Sequence, residues 1–182
     1  MSAESKAANE GGLLRCGVAV GSNQGDRLRN LREGVRLLLD SVPGARLTAV
    51  APLYETAAVD CAPGTDPFYN SVIEIECRLE PHALREAAAV VECRLGRPRV
   101  RAQNAPRTLD LDLLYCGERV IDDEVLTLPH PMIAQRRFVL QPLADIRPDL
   151  VLSGQISTVR AMLDALPGGE VARVRGSDWL EP

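Results

Sequence analysis

The chain has 182 residues, of which 46% are hydrophobic and 25% are charged, a balance that is ordinary for one globular domain. Its 25 acidic residues outnumber its 21 basic residues, and the resulting net charge of −4 argues against a general nucleic-acid binder, which needs an excess of positive charge. No segment approaches the roughly eighteen uninterrupted apolar residues that a membrane-spanning helix needs, so we expect no membrane partner.

Residues 1–12 are small, polar and slightly acidic, and they predict a disordered tail ahead of a single domain over residues 13–182. The cysteines are odd in number and form no C-x-x-C pair, which favours core thiols in a reducing cytoplasm over disulfides or a zinc site. Lys6 is the only lysine, so any bound phosphate would be held by arginine forks and backbone amides. The oligomeric state is open, with a monomer as the expectation.

The first two thirds of the chain alternate between the periodicities of strands and helices. The pattern predicts strands at 13–20, 46–54, 68–77 and 106–115, and helices at 28–39 and 81–95. Asp26 is the expected N-cap of the first helix, and Pro81 suits the first turn of the second. This order predicts an α+β fold with a ferredoxin-like βαββαβ core, in which an antiparallel sheet carries helices on one face.

The remaining third predicts additions to that core. After a turn at Gly117 and Glu118, the pattern indicates a small C-terminal hairpin over residues 120–128 and helices at 136–146 and 158–166. Residues 171–174 predict a late strand.

The strand at 106–115 reads Pro-Arg-Thr-Leu-Asp-Leu-Asp-Leu-Leu-Tyr, and alternation places Leu109, Leu111 and Leu113 on one face. Asp110 and Asp112 fall on the opposite face, roughly 6.5 to 7 Å apart, where their carboxylates can converge on a hard cation such as Mg²⁺. A sheet with one wet face, on which both aspartates are merely solvated, is the alternative interpretation.

Four arginines lie just before this pair, at Arg97, Arg99, Arg101 and Arg107. Metal-binding carboxylates beside an arginine cluster suit a polyphosphate, because guanidinium groups bind phosphate oxygens in pairs. Arginines in a loop are also commonly solvated, so the pattern by itself leaves both interpretations open.

Several motifs in a fixed order make the chain resemble the 6-hydroxymethyl-7,8-dihydropterin pyrophosphokinase family over residues 18–150. The motifs are Gly21-Ser22-Asn23, Tyr54-Glu55-Thr56, Phe68-Tyr69-Asn70, Leu95-Gly96-Arg97, residues 106–112 and Pro129-His130, followed by Arg136 and Phe138. The resemblance implies a magnesium-dependent enzyme of folate biosynthesis. Such an enzyme transfers pyrophosphate from ATP to the hydroxymethyl group of 6-hydroxymethyl-7,8-dihydropterin and releases AMP.

The resemblance also implies a set of site residues. Asp110 and Asp112 match the carboxylates that bind two Mg²⁺ ions, and with Arg97 and Arg107 they form the expected catalytic set. The residues that match ATP contacts are Glu92, Arg99, Arg107, His130 and Arg136. The residues that match pterin contacts are Thr56, Val59, Phe68, Asn70 and Phe138, of which the two phenylalanines would stack on the pterin ring.

The chain departs from the family pattern outside these positions. Asn104-Ala105 replaces a Trp-Gly pair in a mobile loop, Ala89 replaces a glutamine near the nucleotide, and Met132 and Ala134 replace polar or basic residues. We expect altered loop closure and accessory contacts, with the catalytic groups intact.

Three other functions are compatible with the pattern. A catalytically impaired relative would bind ATP or pterin without transfer, an RNA-binding domain would use the same strand order, and a small-molecule regulatory module would share the topology. The acidic balance and the absence of an aromatic RNP motif count against RNA binding.

Overall fold

The computed structural model describes residues 12–58, 64–96, 106–169 and 171–181. Within these ranges the elements are β1 (Leu14–Ser22), α1 (Arg27–Ser41), β2 (Arg46–Val50), β3 (Leu53–Thr56), β4 (Phe68–Cys77), α2 (Pro81–Arg94), β5 (Asp110–Cys116), β6 (Ile121–Asp122), β7 (Thr127–Leu128), α3 (Arg137–Ile146), α4 (Val159–Ala165) and β8 (Ala172–Arg175). Short 3₁₀ helices lie at Ile133–Gln135 and Ser177–Leu180. The predicted tail falls almost wholly outside the described residues and stays a prediction.

The central sheet has the strand order β5-β1-β4-β3-β8, and β2 pairs with β4 next to β3. All its pairings are antiparallel. The order β5-β1-β4-β2/β3 is that of a ferredoxin-like core, so the predicted βαββαβ arrangement is confirmed. The strand β1 lies between β4 and β5, which places Gly21 and Ser22 at its end between the strand that carries Phe68 and Asn70 and the strand that carries Asp110 and Asp112.

The main core lies between this sheet and α1 and α2. Leu109, Leu111 and Leu113 are at most 4% exposed and belong to this core, as the period-2 pattern predicts. Local signals also placed the starts of both helices to within one residue. The Asp26 side chain accepts a hydrogen bond from the Arg29 amide at 3.0 Å, and Pro81 begins α2.

The opposite face of the sheet is covered over much of its area by α3 and α4, which form a second core. Glu74 lies under this layer and is only 2% exposed. It accepts hydrogen bonds from the Tyr115 hydroxyl at 2.8 Å and the Thr48 hydroxyl at 3.0 Å, and Arg147 Nε lies 2.9 Å from its carboxylate. These partners compensate the free-energy cost of burying a carboxylate. Because α3 and α4 cover the rest of this face, a ligand would bind at its open end.

The prediction of one continuous strand over residues 46–54 is wrong. The pairing with β4 shifts register between Leu47 and Ala49, and β2 ends at Val50 before β3 begins at Leu53. Pro52 separates the two strands because it has no N–H for the ladder.

The C-terminal predictions are confirmed with small shifts at the boundaries. Ile121–Asp122 pairs with Thr127–Leu128 as the hairpin, and β8 pairs with β3 at the edge of the main sheet. Beyond β8, Trp179 is fully buried in the main core and donates from Nε1 to the Ala51 carbonyl at 2.9 Å.

The described helices include none that is long and apolar enough to cross a membrane. Cys16, Cys77, Cys93 and Cys116 are free thiols, and all except Cys93 are buried. Cys61 lies outside the described residues.

Candidate functional site

The floor of the candidate site is formed by three neighbouring strands. Gly21 in β1 lies opposite Asn70 in β4 on one side and opposite Asp110 in β5 on the other. Ala19 is paired with Asp112 in the same way. Since side chains two residues apart share a face, both aspartates and Asn70 project to one side, over the small residues of β1.

These side chains border an open cleft at the end of the sheet face that α3 and α4 cover. Six of the residues singled out from the sequence line it, namely Asn70, Asp110, Asp112, His130, Arg136 and Phe138. They come from β4, β5, the loop after β7 and the start of α3, so tertiary folding brings together residues that are up to 68 positions apart (70 to 138).

Arg107 lies beside this cleft and contacts both Asp110 and Phe68. Its Nη1 donates to Asp110 Oδ2 at 2.5 Å, and both side chains are largely buried, at 14% and 17% exposed. The Arg107 guanidinium carbon also lies 5.7 Å from the centroid of the Phe68 ring, within range of a cation–π contact. The guanidinium therefore adjoins both the predicted metal carboxylate and a predicted pterin-stacking ring.

The four described residues of the predicted pterin set, Thr56, Phe68, Asn70 and Phe138, lie on the same side of the sheet. Asn70 donates from Nδ2 to the Thr56 hydroxyl at 2.7 Å, which fixes the orientation of its amide. Phe138 lines the cleft at the start of α3, and the Arg136 guanidinium carbon lies 5.6 Å from the centroid of its ring. Aromatic rings and a fixed amide suit a flat heterocycle with a hydrogen-bonding edge.

His130 has a defined tautomer. Its Nδ1 accepts a hydrogen bond from the Met132 amide at 3.1 Å, so in the neutral ring the proton is on Nε2. Burial lowers the pKa of His130 below its usual value; the Asp112 carboxylate opposes this shift and the Arg136 guanidinium adds to it. A neutral His130 can donate one hydrogen bond from Nε2 to an anion in the cleft.

Glu92 lies behind the aspartates. It is 6% exposed, and its Oε1 accepts from the Leu111 amide at 2.8 Å. Leu111 is the residue between Asp110 and Asp112, so Glu92 anchors the edge of β5 at the position where the two carboxylates project. A direct contact between Glu92 and a nucleotide stays a prediction.

A second cleft shares two walls with the first. It is lined by Asp112 and His130, and beyond them by Arg85, Leu113, Val125, Leu126, Thr127 and Pro131. It lies between α2 and the hairpin of β6 and β7. An elongated ligand can therefore extend past Asp112 and His130 from one cleft into the other.

Asn23 is a structural residue of the site whose role the sequence did not indicate. It is 2% exposed, and its side-chain Oδ1 accepts a hydrogen bond from the Arg107 backbone N–H at 2.7 Å. The backbone N–H of Asn23 donates to the Arg107 carbonyl at 3.1 Å. Its Nδ2 also donates to the Asp66 carbonyl at 3.3 Å. Asn23 thus connects the segment that carries Arg107 with the segment that leads to Phe68.

Three of the predicted site residues, Arg97, Arg99 and Val59, lie outside the described residues, as does the Asn104-Ala105 pair. Their assignments stay predictions. The described site combines paired carboxylates, arginines and aromatic rings at one end of a ferredoxin-like sheet. That combination suits a phosphorylated ligand beside a flat heterocycle.

The comparisons with known proteins specify the family. Residues 17–148 match the model of the family described as 7,8-dihydro-6-hydroxymethylpterin-pyrophosphokinase (HPPK), which is most of the chain. The chain therefore belongs to the HPPK family.

Individual relatives agree with this assignment. The chain is 38% identical over 162 residues to a 2-amino-4-hydroxy-6-hydroxymethyldihydropteridine pyrophosphokinase of Methylorubrum extorquens, covering 89% of this chain and 99% of that protein. It is 41% identical over 144 residues to a Pseudomonas aeruginosa protein of the same name, covering 77% of this chain and 85% of that protein.

A solved structure of Plasmodium falciparum HPPK-DHPS has the same fold, with a TM-score of 0.67 and 13% identity. The match covers 86% of this chain but 45% of the Plasmodium chain, so this chain spans less than half of that larger protein.

Proposed function

We propose that this chain transfers the pyrophosphoryl group of ATP to the hydroxymethyl oxygen of 6-hydroxymethyl-7,8-dihydropterin, releasing AMP, as a step of folate biosynthesis. The observation that carries the proposal is the position of Asp110 between Arg107 and the floor residues Gly21 and Asn70. In this arrangement, charged groups suited to phosphates adjoin the Asn70 amide, which is suited to a polar heterocycle. Family membership makes a ferredoxin-like binding module without this chemistry the weaker alternative.

The donor set fits magnesium. Asp110 and Asp112 offer carboxylate oxygens on one face, and among the described residues no group of three or more His, Cys, Asp or Glu side chains suited to a metal occurs. A pair of carboxylates is typical of Mg²⁺, which is usually bound by one or two carboxylates together with substrate phosphates and water. Magnesium bound there would neutralise phosphate charge during the transfer.

The nucleotide is proposed to lie along both clefts. Asp112 and His130 border each of them, so a triphosphate beside these residues would extend its nucleoside toward Arg85, Leu126 and Thr127. Arg107, Arg136 and the Nε2–H of His130 would bind phosphate oxygens, with Arg97, Arg99 and Glu92 as the further nucleotide residues expected from the family. Arginine side chains suit this task because one guanidinium group can donate two parallel hydrogen bonds to a phosphate group.

The pterin is proposed to lie between Phe68 and Phe138, with Asn70 at its hydrogen-bonding edge. The amide of Asn70 is fixed by Thr56, so its polar atoms are oriented before the ligand arrives. Val59 is the remaining pterin residue expected from the family.

In the reaction, the hydroxymethyl oxygen forms a bond to the β-phosphorus of ATP, and the bond from that phosphorus to the oxygen bridging it to the α-phosphorus breaks. AMP leaves with that oxygen. The hydroxyl proton is proposed to pass to Asp110, which adjoins both the phosphate side and the pterin side. The protein's other contribution is positioning and charge neutralisation by its arginines.

The test is AMP formation from ATP and magnesium, with and without 6-hydroxymethyl-7,8-dihydropterin. We expect pterin-dependent AMP release by the wild type and a loss of roughly a hundredfold or more in Asp112→Ala. Asp40→Ala is the matched control, because Asp40 is an exposed carboxylate on α1 that pairs with Arg36. Binding of ATP and pterin without AMP release would instead identify a catalytically impaired relative.

Asp110→Asn tests the proton acceptor separately. Near-normal turnover of this variant at saturating magnesium would rule out both proposed roles of Asp110.

The expected location in a reducing cytoplasm is supported by the free thiols of the described cysteines.

A further inference from the structure

Arg27, at the start of α1, lies on the sheet face opposite the cleft and contacts the strands that carry the proposed pterin residues. Its Nη1 donates to the Pro67 carbonyl at 2.8 Å and its Nη2 to Glu55 Oε2 at 3.0 Å. Its guanidinium carbon lies 3.7 Å from the centroid of the Tyr69 ring, which is a close stacking contact. One side chain therefore holds a loop carbonyl, a carboxylate on β3 and an aromatic ring on β4.

These contacts surround the backbone of Phe68. Pro67 immediately precedes Phe68 and Tyr69 follows it, while Glu55 lies opposite Tyr69 in the pairing of β3 with β4. Because neighbouring side chains in a strand point to opposite faces, Tyr69 and Arg27 lie on the α1 side and Phe68 lies on the cleft side. Arg27 is not among the described residues that line the cleft, and it contacts the segment that carries Phe68 through Pro67 and Tyr69.

We infer that Arg27 is a positioning residue, which holds Phe68 in the orientation needed to stack on the pterin. The inference rests on the proposed function. A stacking ring that is already oriented avoids the loss of entropy that a mobile ring would undergo on binding. The Pro67 carbonyl bonded to Arg27 belongs to the residue immediately before that ring.

Arginine is needed for this combination of contacts. Its planar fork reaches two acceptors in different directions while its face lies on an aromatic ring, whereas a lysine offers one compact charge. Lysine at position 27 would keep an ion pair with Glu55 or a hydrogen bond to Pro67, without the stacked geometry. Arg27→Lys is therefore expected to retain part of the contribution that Arg27 makes to pterin binding, and Arg27→Ala is expected to lose all of it.

The experiment measures equilibrium binding without turnover. We would determine the dissociation constant of 6-hydroxymethylpterin by its fluorescence, and that of a non-hydrolysable ATP analogue with magnesium, for the wild type, Arg27→Ala and Arg27→Lys. We expect pterin binding to weaken about tenfold in Arg27→Ala, the effect of losing a charge-assisted hydrogen bond, with an intermediate value for Arg27→Lys. Binding of the ATP analogue should change less than about twofold.

Arg36→Ala is the matched control. Arg36 lies on the same helix and pairs with Glu33 at 2.7 Å and Asp40 at 2.6 Å, but on the solvent side. Its removal should leave pterin binding unchanged, since it loses comparable ion pairs without touching Pro67.

Unchanged pterin binding in Arg27→Ala, or equal weakening of both ligands, would overturn the inference. If Arg27→Ala fails to fold, Arg27→Lys alone decides, because it must still weaken pterin binding more than nucleotide binding. An absence of AMP release by the wild type would reject the proposed function, whereas the pterin dissociation constants would still report on Arg27.

Discussion

Gly21 and Asn70 lie so close that a Cβ atom at position 21 would be 2.9 Å from Asn70 Oδ1. Gly21 does not have a positive φ, so its backbone conformation would accept another residue, and a larger side chain is disfavoured because it would displace the Asn70 amide. The missing side chain keeps the floor of the cleft open between Asn70 and Asp110.

Gly21→Ala should therefore weaken pterin binding by roughly tenfold, because the added methyl group displaces the Asn70 amide from its bond to Thr56. The measurement is the dissociation constant of 6-hydroxymethylpterin. Gly168→Ala is the control, since a Cβ there meets no atom within 4 Å. Wild-type affinity in Gly21→Ala would show that the orientation of Asn70 is not needed for binding.

Arg85 provides a test of the second cleft. If the nucleoside of ATP lies between α2 and β7, Arg85→Ala should raise the KM for ATP roughly fivefold, corresponding to one exposed charge contact of about 1 kcal/mol. The KM for pterin should stay the same. Arg160→Ala, which removes an exposed arginine from α4, serves as the control, and equal KM values for ATP in both variants would place the nucleoside elsewhere.

His130 predicts a pH dependence of stability. Burial lowers its pKa in the folded protein below the usual 6.5, so the unfolded chain binds the proton more readily. The free energy of unfolding should therefore decrease as the pH falls through 6.5 toward the lower folded value.

Urea unfolding in buffer free of divalent ions, at about pH 7.5 and about pH 5.5, would measure this effect. His130→Gln removes the titrating group and should reduce the difference between the two conditions. An identical difference in wild type and variant would assign the acid sensitivity to other groups.

Trp179 is expected to be a major source of stability although it lies in the last residues of the chain. Trp179→Ala should lower the free energy of unfolding by about 3–5 kcal/mol, because it empties a fully buried position in the main core. Trp179→Phe keeps much of the apolar contact and loses the hydrogen bond to Ala51, so it should cost about 1–3 kcal/mol. Urea unfolding measures both, and a loss below about 1 kcal/mol in Trp179→Ala would contradict the assignment.

Local patterns determined much of the fold. Alternation of leucine and aspartate in β5 fixed which side chains enter the core, because a strand has a period of two residues and one buried face. Asp26 and Pro81 marked helix starts because capping depends on neighbouring residues only. The break at Pro52 is not marked by the apolar pattern, although the residue that causes it is visible in the sequence.

The sequence by itself determined the order of elements, the apolar face of each and, through the family motifs, which residues to examine. Only the tertiary structure decided which of them meet. Burial of Glu74 depends on Arg147 and Tyr115, and the position of Trp179 depends on Ala51, 128 residues earlier. Such contacts join segments that are distant in the chain, so no local periodicity encodes them. The same holds for the cleft, where Asp112, His130 and Phe138 become neighbours only after β5, the hairpin and α3 have packed together.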